Sequence, residues 1–372
     1  MGSADLYFLV SRADASRNCV VHISIAHRLY RLRGACLHAF AQNYKLTTFV
    51  YSDVESVIGE QMQRYDLLAI GNLTLDIVYE VDRIPELDET GLVLHQNTYF
   101  GGRAGNIAIM GARLGLDVAI ASIVGGDFVE SGYKDHLLRH RVNIGKVKIL
   151  EKKECAKIHV YRQRDGKHIY FFQPNVQRSN HKLNLNEEDL TGFKVIYLTS
   201  FNSEQTATEL MGKIKPPSDV FFGLGEEIYR KSRNFLESVL EISNYIGANE
   251  REFETFLKKM SLSSVAEIFD IGTRLRFVCI SLGEKGSVIY TPDKKYVIPA
   301  VPSAKLVSTL GAGDAYVTGL VYGIVNQWNI ENCGRLGSVL SSFILEAEGA
   351  QNTSPNWGSL KKRYNQFFGK LP

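Results

Sequence analysis

The 372-residue chain has no run near the roughly 18 uninterrupted apolar residues that a membrane-spanning helix needs, so no membrane partner is expected. Its five cysteines (Cys19, Cys36, Cys155, Cys279 and Cys333) are odd in number, widely spaced and without a C-x-x-C pair. That spacing suggests neither a disulfide framework nor a zinc site, and it fits a reducing compartment. No charged segment followed by an apolar one opens the sequence, so the expected location is cytoplasmic. Lys and Arg number 43 against 40 Asp and Glu, a net charge of +3 with no long basic run, and nucleic acid is not the expected partner. Two phosphate-binding signatures are missing as well. No G-x-G-x-x-G follows the first strand-like run and no G-x-x-x-x-G-K-[ST] occurs, which makes nicotinamide oxidoreductases and P-loop enzymes weaker candidates. With 45% hydrophobic and 22% charged residues the chain is of ordinary globular composition, large enough for a sizeable core and suited to a small-molecule ligand.

Residues 1–65 contain no proline and differ in texture from the rest of the chain. Leu29, Leu32, Cys36 and Phe40 recur at helical spacing, interleaved with Arg28, Arg31 and Arg33. Three roles are open to this extension: a segment irrelevant to the chemistry, with Met62 as an alternative start; a transit-type segment, since residues 12–45 carry six basic groups and one acidic; or a partner-binding helix. From residue 66 to 372 short apolar runs alternate with helical patterns, the first run being Leu67-Leu68-Ala69-Ile70-Gly71. Such alternation predicts βαβ units around a mostly parallel, doubly wound sheet. Helices are predicted over 103–114, 128–141, 205–214, 226–242, 250–258, 265–274, 312–325, 333–346 and 359–368. The stretches 77–99 and 155–172 lack intervening helices and read as hairpins, hence as a small separate antiparallel layer.

The chemistry gathers at glycines. In Leu310-Gly311-Ala312-Gly313-Asp314 a tight turn opens a helix, where unpaired N–H groups and the helix dipole together favour an anion. Asp314 beside that hole would be placed to take a proton from a hydroxyl while the amides stabilise a transferring phosphoryl group. An aspartate that merely caps the helix would look the same in isolation. Gly101-Gly102-Arg103-Ala104-Gly105-Asn106 also opens a helix; its glycines permit close approach by a ligand, and Asn106 can both donate to and accept from a polyol. Asp76 stands beyond the first strand, where open parallel sheets bind ligands. Asn249-Glu250-Arg251-Glu252 offers an amide and a carboxylate to a hydrated Mg²⁺, or a capped helix start with solvated glutamates. Ser281-Leu282-Gly283-Glu284-Lys285-Gly286 would skirt a nucleotide or simply turn between strands. Surface or packing roles are expected of the histidines.

In this order the motifs resemble the ribokinase or PfkB family of carbohydrate and nucleoside kinases over about residues 66–365. The resemblance implies a doubly wound α/β domain with a small β lid, use of ATP and Mg²⁺, and transfer of the γ-phosphoryl to a primary hydroxyl of a sugar or nucleoside. It makes Asp314 the general base and Gly311, Ala312 and Gly313 the anion hole. Asp76, Gly101, Gly102, Arg103 and Asn106 then match substrate-binding positions, with Arg103 where ribokinases often have Lys. Asn249 and Glu252 match the N-x-x-E motif that organises Mg²⁺, and Ser281, Gly283 and Gly286 the nucleotide-side turn. The lid strands would also carry a homodimer contact. Two departures stand out: Ser308 where the family usually has Asp, and Phe222-Gly223-Leu224-Gly225 where archaeal members tend towards aspartate-proline-glycine. They motivate the alternative of a catalytically silent sugar- or nucleoside-binding protein on the kinase fold. The tail Glu346-Ala347-Glu348-Gly349-Ala350-Gln351 looks closest to archaeal members acting on nucleosides or on sugars of uncertain identity. Tyr99, Phe100, Tyr161, Tyr170 and Phe172 are candidates for a shelf under a nucleobase, and Arg162, Gln163 and Arg164 for partners of a free sugar.

Overall fold

Leu67, Leu68, Ala69 and Ile70 expose none of their surface, as a strand covered on both faces requires. They belong to β1 (Tyr65–Ile70), and β1 lies inside a nine-stranded sheet. The structure is a computed structural model that describes residues 65–178, 181–199, 203–353 and 355–372. The helix expected around Leu29–Phe40, Met62 and two of the cysteines, Cys19 and Cys36, lie outside the described residues.

The other strands are β2 (Thr74–Val81), β3 (Val93–Gly101), β4 (Val118–Gly125), β5 (Asn143–Leu150), β6 (Ala156–Gln163), β7 (His168–Gln173) and β8 (Phe193–Thr199). They continue with β9 (Asp219–Gly223), β10 (Tyr245–Asn249), β11 (Phe277–Ser281), β12 (Ser287–Tyr290) and β13 (Lys295–Ile298). The large sheet has the order β13-β12-β11-β10-β9-β8-β1-β4-β5, parallel except for the antiparallel β12 and β13 at one edge. Helices cover both faces, over two large apolar clusters. The small sheet has the order β3-β2-β6-β7, with antiparallel hairpins β2/β3 and β6/β7 joined by a parallel β2/β6 pair. It therefore hangs on the end of β1: three residues separate β1 from β2, and β3 runs into the helix Arg103–Arg113.

Local chemistry shortens several of the expected helices. Gly132 adopts φ 81° and splits the segment 128–141 into Asp127–Glu130 and Tyr133–Arg139. The segment 226–242 is a 3₁₀ helix over Glu226–Arg230 and α-helical only over Arg233–Ile242, where the Ser232 hydroxyl accepts from the Phe235 amide at 3.2 Å and caps the helix start. The helix Ala312–Val325 is apolar almost all round and packs against Arg103–Arg113 and Ile330–Ile344, so the turn at its start is held from several sides.

Candidate active site

Gly311 takes φ 83°, a left-handed conformation that suits glycine, and a Cβ there would overlap the Ala350 side chain. The tail Glu346–Gln351 thus packs against the glycine turn. Among the described residues the Gly311 and Gly313 amides have no backbone acceptor, whereas the Ala312 amide reaches back to the Thr309 carbonyl at 3.3 Å. Space is open beside Gly313, with no heavy atom within 4 Å of a Cβ built on it. Ser308 lies just before this turn, and its hydroxyl accepts from the Leu310 amide at 3.2 Å.

Asp314, in the first turn of that helix, is 8% exposed. Asn106 Nδ2 donates to its Oδ2 at 2.7 Å, and Arg103 Nε lies 3.5 Å from its Oδ1. Burial raises the Asp314 pKa, opposed by the Arg103 charge and by the bonds from Asn106 and Arg103. Asp76, on β2, is 3% exposed and accepts from the Thr74 hydroxyl at 2.6 Å. Its carboxyl lies on Gly101, where a Cβ would overlap it. Burial pushes its pKa up to about 7, partly offset by Thr74 and reinforced by the Asp314 charge. Gly102 begins the helix Arg103–Arg113 at φ 87°, and its carbonyl accepts from the Asn106 amide at 2.8 Å. The glycine cluster and the distant aspartate are thereby one site: Asp76, Gly101, Gly102, Arg103, Asn106 and Asp314 converge.

A second space, a cavity of about 70 Å³, adjoins it and is lined by Arg103, Asn249, Glu252, Ser281 and Gly313 among others. Arg103 belongs to both. Its Nη1 donates to the Leu224 carbonyl, and a Cβ at Gly225 would sit 3.0 Å from that nitrogen. The Leu224 carbonyl and Gly225 thus seat the arginine, while a Cβ at Gly223 would meet the Tyr197 hydroxyl instead. Burial disfavours the guanidinium charge, yet Tyr197, Glu252 and Asp314 together more than offset this and raise its pKa. Asn249 and Glu252 form a capping box, each side chain accepting from the other's amide at 2.8 and 3.0 Å. Glu252 is nevertheless 5% exposed and faces the cavity, so a buried carboxylate and an amide oxygen stand together, a donor set suited to a hydrated divalent cation. Gly283 and Gly286 frame a single 3₁₀ turn after β11 and do not line this cavity.

Register in the small sheet sorts the aromatics. Asp76 is level with Tyr99 and Ile158, Ile158 with Phe172, and Val160 with Tyr170, so these share the Asp76 face with Val78. Tyr161 is level with Tyr79, one residue out of phase, and stacks on it at 4.7 Å on the opposite face. Phe100 is also on that face and packs on Tyr133 at 4.5 Å. Neither is available as a shelf beside Asp76. Arg162, on the Asp76 face, pairs with Glu348 at 2.5 Å and ties the small sheet to the tail segment.

Sequence reasoning missed a buried polar chain behind the site. Gln351 Nε2 lies 2.9 Å from Asn106 Oδ1 and 2.7 Å from the Tyr133 hydroxyl, which donates to the Gly101 carbonyl at 2.7 Å. Nothing in local sequence marks Tyr133, which comes from a helix outside both motifs. His136 and His140 stand one helical turn apart with centroids at 4.9 Å, and burial followed by the neighbouring His140 and arginines holds His136 down at about 4. Arg113 lies 3.1 Å from His140 Nε2, so the pair packs and is no ligand set. Among the described residues no three His, Cys, Asp or Glu side chains are grouped to hold a metal, and no helix is long and apolar enough to cross a membrane.

A family model described as "pfkB family carbohydrate kinase" matches residues 65–357. A nucleoside kinase of Methanocaldococcus jannaschii is 29% identical over 309 residues, covering 82% of this chain and 98% of its own. The crystal structure of a nucleoside kinase from that organism, a member of the ribokinase family, superposes with a TM-score of 0.73 at 26% identity over 81% of this chain and 98% of its own. A Burkholderia thailandensis nucleoside kinase in complex with inosine gives 0.71 at 23% identity, over 82% and 99%. An Arabidopsis thaliana ribokinase complexed with ribose and ATP gives 0.69 at 20% identity, over 81% and 98%.

Proposed function

This chain belongs to the pfkB family of carbohydrate kinases, phosphotransferases with an alcohol acceptor, and we propose that it moves the γ-phosphoryl of Mg-ATP to the hydroxymethyl group of a nucleoside. The observation that carries the reading is Asp314, buried beside unengaged helix-start amides and one residue from the cavity lined by Gly313. Asp314 accepts the proton of the acceptor hydroxyl as the new O–P bond forms and the bond to the β-phosphate oxygen breaks. The amides of Gly311 and Gly313, with the loosely held Ala312 amide, stabilise the charge on the moving group. Arg103, facing both Asp314 and the cavity, neutralises that charge from the other side. Asp76, Gly101, Gly102 and Asn106 hold the sugar hydroxyls.

Asn249 and Glu252 would hold the hydrated Mg²⁺, with Ser281, Gly283 and Gly286 on the nucleotide side. When bound, Mg-ATP supplies the phosphoryl group and a cation that offsets its negative oxygens. For the base, Val78, Ile158, Val160 and Tyr99 offer an apolar face that a free sugar does not need. The Arg162–Glu348 pair keeps the small sheet over the acceptor, and its closure excludes water. β7 is exposed along its whole length with Ile169, Tyr170, Phe171 and Phe172, and a second copy is the proposed partner of this lid. Residues 1–64 are proposed to be dispensable for turnover, since the family match begins at residue 65.

The test is ADP release over a panel of nucleosides, ribose and hexoses with Mg-ATP, for the full chain and for one lacking residues 1–61. The reading expects nucleosides to be turned over best, by both forms. Tight nucleoside binding with no turnover by either form would contradict it and favour a silent binding protein.

A further inference from the structure

We infer that Gln351 is a positioning residue for phosphoryl transfer: its side-chain amide fixes the orientation of Asn106, and Asn106 in turn aims the Asp314 carboxylate. The inference deepens the reading of Asp314 as the base and rests on it. The direction of every bond in the buried chain is set by its two ends. At one end is a carboxylate, which only accepts, so Asn106 must present Nδ2 to Asp314 Oδ2 and turn its own Oδ1 away. At the other end is a backbone carbonyl, that of Gly101, which takes the single proton of the Tyr133 hydroxyl, so the tyrosine oxygen must accept. Between the two acceptors left over, Asn106 Oδ1 and Tyr133 Oη, stands Gln351 Nε2, at 2.9 and 2.7 Å.

Only a group with two protons on one atom satisfies both. A hydroxyl has one and a carboxylate has none. Gln351 is 1% exposed, so no bulk water replaces it. The backbone makes room for this arrangement: a Cβ on Gly105 would overlap the Tyr133 hydroxyl and come within 3.1 Å of Gln351 Nε2. The third glycine of the Gly-Gly-Arg-Ala-Gly-Asn cluster therefore serves the network, and the tail that holds Gln351 is the one packed on Gly311. Gln351 touches Asn106 and Tyr133 and acts on Asp314 only through Asn106. Arg103, Asp76 and Tyr197 face Asp314 by charge, while Tyr133 and His136 face Gln351.

With Gln351→Glu the new carboxylate draws the Asn106 Nδ2 to itself, and Asn106 Oδ1 then faces Asp314. The base loses its donor and gains a negative neighbour, so it holds its proton to higher pH. The experiment is the pH profile of kcat at saturating Mg-ATP, using a nucleoside that the wild type turns over, for wild type, Q351E, Q351M and D314N, with thermal melting of each. Q351E is expected to lower kcat between about tenfold and a hundredfold, the scale of losing a supporting partner, and to move the acid limb to higher pH. KM for ATP is expected to stay within about twofold. Q351M, neutral and of similar length, removes both donors and is expected to shift kcat and the limb the same way, which keeps the test intact if Q351E does not fold. Wild-type kcat and an unmoved limb in Q351M, with D314N inactive, overturn the role of Gln351 alone. Turnover by D314N overturns the reading of the base and this inference with it.

Discussion

Asn106 Nδ2 sits 2.7 Å from Asp314 Oδ2 although 208 positions separate the two residues in sequence. Each opens its own helix directly after a glycine turn, and the two helices pack together, so the contact is fixed by the fold. Asn106→Ala should lower kcat by roughly tenfold or more and raise the acceptor KM, because a donor to the base and a partner of the sugar are lost together. Steady-state kinetics against varied acceptor checks this, with ATP KM expected to be little changed.

Asp76 carries a pH dependence of known sign. The unfolded chain ionises this group near 3.8 and the folded chain holds its proton to about 7, so folding binds a proton across that window. Its contribution to the stability of the ligand-free protein therefore falls as pH rises from about 4 to about 7. Asp76→Asn should melt progressively higher relative to wild type as pH is raised over this range. It should bind nucleoside more weakly at pH 8, where the wild-type carboxylate accepts sugar hydroxyls. Melting curves and calorimetric titration at several pH values provide both readouts.

Arg103 is seated by the Leu224 carbonyl and by the missing side chain at Gly225. Lysine keeps the charge and loses the planar fork, so Arg103→Lys should reduce kcat by about tenfold while acceptor KM changes less. An equal loss in both would place Arg103 with the sugar rather than the phosphoryl group.

Gly105→Ala inserts a methyl group against the Tyr133 hydroxyl, a buried atom with two hydrogen bonds. The cost should be about 1–3 kcal/mol of stability, the range for overpacking a filled site, with loss of activity beyond what unfolding explains. Urea denaturation and a kcat measurement at low temperature separate the two effects.

The parallel core strands and the helix Ala312–Val325 could be read from sequence because their apolar runs are continuous and their stops are glycines. β5 and β13 are less legible since both are edge strands and mostly not buried, β5 alternating lysines with apolar residues and β13 spanning only four residues. The two glycine clusters were legible as turns that open helices, yet the face on which Tyr161 falls was not. That depends on pairing with Tyr79 across 82 positions, and period-two alternation assigns faces only once the register is known. Gln351 and Tyr133 were opaque for the same reason: their role is set by three segments meeting, and no local spacing encodes it. Of the Gly223-Leu224-Gly225 stretch, which read alone suggested a weakened site, the Leu224 carbonyl and Gly225 seat Arg103, whereas Gly223 faces the Tyr197 hydroxyl.

The central claim is that Asp314 takes the proton of the acceptor hydroxyl. Single-turnover ADP formation by Asp314→Asn, with nucleoside affinity measured in parallel, tests it most directly. The account expects a loss of at least about a hundredfold in the chemical step, the scale of removing a general base, with affinity for nucleoside within a few-fold of wild type. A variant that transfers the phosphoryl group at near wild-type rate would contradict it.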